Sequence, residues 1–126
     1  MTIVYLNCKL FPFIAWIISG LKTYETRNRN TLKCLVGKTV YLAETGKNKQ
    51  PIIRRKCIIS DPVIVTDRKI YNTYRNKTRI KKGSCYDFNS STKQKVLYPL
   101  LNVQAVKPFH IPDNVIRHGR IYCETI

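Results

Sequence analysis

Apolar residues fall into short runs of two different periods, with polar or glycine-marked breaks between them. Ile3-Val4-Tyr5-Leu6-Asn7-Cys8 is nearly continuous and rich in β-branched residues, which predicts a largely buried first strand. Pro12 then opens a segment in which Ile14, Ile17, Ile18 and Leu21 recur at helical spacing. Proline suits a first helical turn, where its missing N–H would have no partner anyway, and Gly20 is a natural helix stop. Thr23 to Arg27 returns to β-branched and aromatic residues and predicts a strand.

The same reading carries through the rest of the chain. Gly37 precedes a strand over Thr39-Val40-Tyr41-Leu42-Ala43, and residues 44–51 form a polar loop. Residues 52–65 are β-rich, with Asp61-Pro62 breaking them into two strands or one bent strand. Thr66-Asp67 can cap a helix over residues 68–76. Lys81 to Ser84 reads as a turn and Asn89 to Thr92 as a loop. Val96 to Val106 is a further strand region, with Pro99 at an edge or bulge, and residues 108–112 read as an extended linker. Gly119 to Cys123 predicts a closing strand. No repeat and no internal boundary is visible, so residues 1–126 are expected to form one domain. The fold class expected is α+β: a small β-barrel of about five to six strands with one to three flanking helices.

Charge changes this picture most. Lys and Arg number 23 against 7 Asp and Glu, a formal net charge of +16. Such an excess repels itself in a compact chain, and a polyanion would relieve the strain. Nucleic acid is the expected partner, ahead of an acidic protein surface. No long basic amphipathic helix and no run of membrane-spanning length is present, so no membrane partner is expected. Residues 10–18 are too short and too helix-like for a signal-peptide core. The five cysteines are odd in number and lack any CxxC pair, and the two histidines stand apart from acids and thiols. No metal site or cofactor is expected, and reduced cysteines fit a cytoplasmic or nuclear setting.

Three groups of residues carry candidate chemistry. The first is Gly20-Leu21-Lys22-Thr23-Tyr24-Glu25-Thr26-Arg27, at the helix-to-strand junction. Strand alternation puts Thr23, Glu25 and Arg27 on one face, with Lys22 at the turn where it can be aimed toward them. Lys22, Thr23 and Arg27 can hold phosphate while Glu25 accepts hydrogen bonds from a base. Glu25 and Arg27 can equally form an ion pair that fixes the junction. If the site is catalytic, Lys22 and Glu25 are its candidates. A carboxylate beside Lys22 would keep it charged, which suits phosphate binding better than proton abstraction. The second group lies in residues 68–82, where Tyr71, Tyr74, Arg75, Lys77 and Arg79 interleave rings with cations. Cations track phosphates and rings stack on unpaired bases, but the tyrosines can instead pack on the sheet. The third is Arg54-Arg55-Lys56, of which Arg54 is a candidate contact and Arg55 should point oppositely. No Ser–His or Cys–His spacing supports a nucleophile.

The first of these groups also resembles a known family. Pro12-Phe13, the following helix, and Gly20-x-Lys22-Thr23-x-Glu25-x-Arg27 resemble the ASCH (activating signal cointegrator homology) domain, within the PUA-like group. Gly37-Lys38-Thr39-Val40-Tyr41-Leu42 and the stretch from Tyr98 to Phe109 resemble two further blocks of that family, in the expected order. The resemblance implies a PUA-like β-barrel with flanking helices and a cleft beside the GxKxxExR strand. It implies an RNA-related function, and some ASCH-like members act on nucleic acid or modified nucleosides. One branch of small amidohydrolases has Lys, then Thr three residues later; here Lys22 matches but Glu25 stands in the Thr position. The family's late Trp is here Tyr122. The expectation is therefore a domain that binds single-stranded RNA or another single-stranded nucleic acid. The alternatives are a ribonuclease or nucleoside amidohydrolase using the same cleft, and a module that meets an acidic protein.

Overall fold

The computed structural model describes residues 1–126. Eight strands, three short α-helices and a 3-10 turn follow in the order β1 (Thr2–Asn7), α1 (Phe13–Ile18), β2 (Tyr24–Arg27), the 3-10 turn (Lys33–Leu35), β3 (Thr39–Thr45), β4 (Ile52–Ile59), β5 (Val63–Val65), α2 (Arg68–Asn72), α3 (Arg75–Thr78), β6 (Lys95–His110), β7 (Val115–His118) and β8 (Tyr122–Thr125). The class is α+β, as the hydrophobic pattern predicts. The strands form one mixed sheet in the order β2-β6-β4-β3-β1-β8-β7, with β5 also paired to β6. Only β1 and β3 run parallel.

The sheet curls toward a barrel without closing. Its path ends at β2 on one side and β7 on the other. Across the gap Arg27 Nη2 donates to the Tyr5 carbonyl at 3.1 Å, so a side chain bridges β2 to β1 where no backbone ladder does. That gap becomes the cleft described below.

Strand alternation and one bulge set which side chains face inward. β1 alternates normally: Val4, Leu6 and Cys8 enter the main core, while Ile3 and Tyr5 enter a smaller cluster on the opposite face. In β4, Cys57 and Ile59 join the main core, yet Ile53, an even number of residues away, joins the smaller one. The register against β3 allows this: Leu42 pairs with Arg55 and Ala43 with Ile53, so β4 carries one extra residue there, which exchanges the two faces. Arg54 is that residue and stands exposed.

Helix α1 has six residues and could not persist alone. Phe13, Ile14 and Ile17 anchor it to the core, each contributing about 1.5–3 kcal/mol by burial. Asp67 caps α2, its Oδ1 accepting from the Lys69 N–H at 2.6 Å. The helix expected over residues 68–76 is in fact two. Thr73 Oγ1 bonds back to the Ile70 carbonyl at 2.6 Å as α2 ends, and α3 restarts after Tyr74. Residues 108–110, expected in a linker, complete the 16-residue β6. No helix is long and apolar enough to cross a membrane. All five cysteines are free, with Cys8, Cys57 and Cys123 buried and Cys34 and Cys85 exposed.

Candidate functional site

A cleft of about 850 Å³ opens where the sheet fails to close. Tyr5, Leu6 and Asn7 of β1 form one wall and Glu25 to Asn28 at the end of β2 the other. Arg117 lines it from β7, Gly119 and Arg120 from the β7–β8 turn, and Ile111 to Asp113 from the segment after β6. Phe13 and Tyr86 give it an aromatic side, their rings edge-on at 5.4 Å. Its cations are Arg27, Lys95, Arg117 and Arg120, against the two carboxylates of Glu25 and Asp113. No group of His, Cys, Asp and Glu comes together that could hold a metal ion.

The junction motif forms a polar chain behind this cleft. Lys22 Nζ donates to the Thr78 carbonyl at 2.8 Å and lies 3.6 Å from Glu25 Oε1. Glu25 Oε1 also accepts from the Thr26 N–H at 2.9 Å, and Oε2 accepts from Arg27 Nη2 at 3.3 Å. Arg27 completes the chain at the Tyr5 carbonyl. The ammonium of Lys22 also sits 4.9 Å from the centre of the Phe13 ring. At 1 % exposure Lys22 is out of solvent, and it does not line the cleft; its link to that space is Glu25. Burial pulls the Lys22 pKa below that of a free lysine, and the Glu25 carboxylate opposes this without reversing it. Desolvation is the larger of the two effects.

Neither a family model nor a curated protein sequence matches the chain. Solved structures do. The ASCH protein of Zymomonas mobilis aligns with a TM-score of 0.65 at 17% identity, over 87% of this chain and 73% of that one. Its serine-to-alanine variant gives 0.66 at 19% identity over 86% and 72% of the two chains. Its tyrosine-to-phenylalanine variant gives 0.67 at 18% identity over 87% and 75%.

The chain has the ASCH fold.

Within this ASCH fold the sequence-predicted residues separate into two groups. Glu25 and Arg27 line the cleft together. Thr23 is exposed outside it and serves the junction by its backbone, donating to Lys77 O and accepting from Leu100 N. Of residues 68–82 only Ile80 reaches the cleft. Tyr71 is fully buried against Phe88, so of its two readings it takes the packed one and its ring is not free to stack on a base. Burial pushes its phenol up to about 12. Tyr74 packs on Tyr24 at 5.7 Å, with Lys77 Nζ 5.3 Å from the Tyr24 ring centre. Arg75 binds Asp87 at 2.7 Å and the Ile80 carbonyl at 3.1 Å. Arg79, in the left-handed region at φ 59°, donates Nε to the Leu21 carbonyl. Arg54 lies on its bulge, outside the cleft.

The cleft also contains residues that sequence reasoning did not single out. Lys95, at 3 % exposure, donates to Asn28 Oδ1 at 2.6 Å and forms no ion pair. Burial lowers its pKa, with Asp87 and Cys85 opposing. Arg117 Nη1 donates to the Tyr5 hydroxyl at 2.9 Å. The one sequence signal for this side was Arg117 and Arg120 flanking a glycine turn at Gly119.

Proposed function

We propose that this chain binds single-stranded RNA, with one nucleotide unit seated in the cleft between β1 and β2. One observation carries the reading: four cations and an aromatic wall face one another across a cleft of about 850 Å³. That volume lies within the range of sites that enclose a small ligand. Arg27, Arg117 and Arg120 supply charge for phosphate oxygens, and Tyr86 with Phe13 supplies a face for an unpaired base. Glu25 and Asp113 accept hydrogen bonds from a base's amino and imino groups. The net charge of +16 and the resemblance to the ASCH family support the same ligand class.

A second reading, an enzyme of RNA or modified-nucleoside metabolism, rests on the Glu25 carboxylate held between Lys22 and Arg27 at the cleft wall. Incubation with labelled single-stranded RNA tests both readings when binding and product are scored together. Four to six phosphate contacts on a single strand give a log–log salt slope of roughly −3 to −4. A slope near zero, or no binding at low salt, overturns the RNA reading. Product that depends on Glu25 would establish the second.

A further inference from the structure

A second groove of about 480 Å³ adjoins the cleft, and the two share Asn28, Cys85 and Lys95 as a common wall. The groove's nine lining residues include Arg29, Lys93 and Lys95 and no acid. The main cleft differs, since it carries Glu25 and Asp113 beside its cations. A base offers donors that a carboxylate can meet, whereas a phosphodiester offers only acceptors and negative charge. The mixed cleft therefore suits a whole nucleotide, its carboxylates meeting the base and its arginines the nucleotide's own phosphate, and the acid-free groove suits the adjoining stretch of backbone.

Lys95 stands at the boundary. Lys95 is 3 % exposed as a residue, and its ammonium has one hydrogen-bond partner, the neutral Asn28 side-chain oxygen. A buried cation with no carboxylate in contact is costly to hold, and an anion brought beside it removes part of that cost. The neighbouring side chains on the groove side are Arg29 and Lys93, both exposed.

We propose that the groove beside Lys95 is a phosphodiester subsite, so that the ligand is an RNA strand running past the cleft rather than a free nucleoside. Arg29 and Lys93 would hold the flanking phosphates and Lys95 the phosphate at the boundary. The proposal rests on the RNA reading above and adds to it the path of the strand next to the cleft.

The test compares a labelled mixed-sequence RNA dinucleotide with an octanucleotide. The octanucleotide is expected to bind about tenfold more tightly through its added phosphate contacts. Arg29→Gln with Lys93→Gln should remove most of that gain and flatten the octanucleotide salt slope by about 1.4, which is two contacts on a single strand. Both side chains are exposed, so the variant should melt with the parent protein. Bound octanucleotide should also slow alkylation of Cys85, on the shared wall, but not of Cys34, which lies outside both spaces. Equal affinity for the two lengths, a full gain in the double variant, or unchanged Cys85 alkylation overturns the subsite while leaving the cleft reading intact. Failure of both oligonucleotides to bind overturns the cleft reading itself.

Discussion

Lys22 Nζ donates to the Thr78 carbonyl at 2.8 Å across 56 positions of sequence, joining the turn after α1 to the end of α3. Thr78 is itself fully buried, and the Thr23 N–H donates to the neighbouring Lys77 carbonyl at 2.8 Å. The GxKxxExR block is therefore a structural joint as well as one wall of the cleft. Its charge sequence serves both, because Glu25 faces the cleft while Lys22 and Arg27 hold it there.

Replacing Lys22 should damage the fold. Lys22→Ala removes the donor to Thr78 and one of the two cations beside a buried carboxylate, a loss on the order of 3–5 kcal/mol. A lysine at a turn is ordinarily exposed and cheap to remove, and the burial of Lys22 is what makes this one different. Lys22→Met restores the buried stem but neither the bond to Thr78 nor the pairing with Glu25, so it should recover only the packing share of that loss. Urea unfolding of the two variants measures the difference; a Lys22→Ala protein as stable as the parent would refute the joint.

What could be read in advance and what could not follow a physical division. Periodic features were legible: the apolar face of α1 at Ile14 and Ile17, the Asp67 cap and the β1 and β3 runs all depend on neighbours in sequence. The burial of Lys22 was not, because its partner lies 56 residues away. A charged residue beside Gly20 reads as solvent-facing by every local rule. The exchange of faces at Arg54 and the break at Thr73 were hidden for a related reason, since one bulge or one hydroxyl back-bond leaves no trace in composition. The cleft was half legible. Glu25 and Arg27 belong to a motif, whereas Lys95, Arg117 and Arg120 meet it only because β6, β7 and the β7–β8 turn converge on the open side of the sheet.

Alkaline conditions should unfold this protein earlier than its basic composition implies. Burial pushes the Cys57 thiol from 9.0 up to about 12, and Tyr71 likewise to about 12. Between those values the folded state holds protons that the unfolded state releases, so stability is full below about pH 9 and falls as pH rises. Lys22 works in the opposite sense, because its lowered pKa makes the unfolded state the one that binds the proton. The Cys57 contribution amounts to roughly 4 kcal/mol once the window is crossed. Cys57→Ala should cost about 1 kcal/mol at neutral pH and then lose stability more gradually above pH 9. Identical pH profiles for the two proteins would exclude the thiol as a cause.

Arg75 should behave as a scaffold residue rather than a nucleic-acid contact. Its guanidinium meets Asp87, Asn72 and the Ile80 carbonyl, which ties α3 to the segment leading into β6. Burial raises the Asp87 pKa, but donation from Gly83 N–H, Arg75 and Phe88 N–H outweighs it, so the net value is lowered. The stability linked to Asp87 is thus complete above its ordinary pKa and lost as pH falls below it. Arg75→Ala should cost about 2–3 kcal/mol, less than a fully buried pair because Arg75 is partly exposed. RNA affinity of the folded variant should match the parent; a loss of affinity without a change in melting would return Arg75 to the binding surface.

Gly46 should tolerate no side chain. It has φ +83°, and a Cβ there would overlap Asn7 Oδ1 and lie 3.0 Å from the Lys9 nitrogen. Asn7 Oδ1 already accepts from that N–H at 2.9 Å, and both Asn7 and Gly46 line the cleft. Gly46→Ala therefore combines a left-handed penalty of about 1–2 kcal/mol with displacement of Asn7. Thermal melting should show the loss, and Gly83→Ala, at φ +80° with open space around it, should show only the backbone share.

Arg117 of β7 and Arg120 of the β7–β8 turn separate the cleft from the basic segment as the place where RNA binds. Arg117 and Arg120 line the cleft, while Lys77 sits over Tyr24 and Tyr74 outside it. Arg117→Gln with Arg120→Gln should weaken single-stranded RNA binding and reduce the salt slope by about 1.4, the value for two lost phosphate contacts. Lys77→Gln should leave both affinity and slope near those of the parent. Because Arg117 also donates to Tyr5, each variant needs a melting curve beside its binding curve. The opposite pattern, with Lys77→Gln lowering the slope and the arginine pair leaving it unchanged, would move the RNA from the open side of the sheet to the surface of α3.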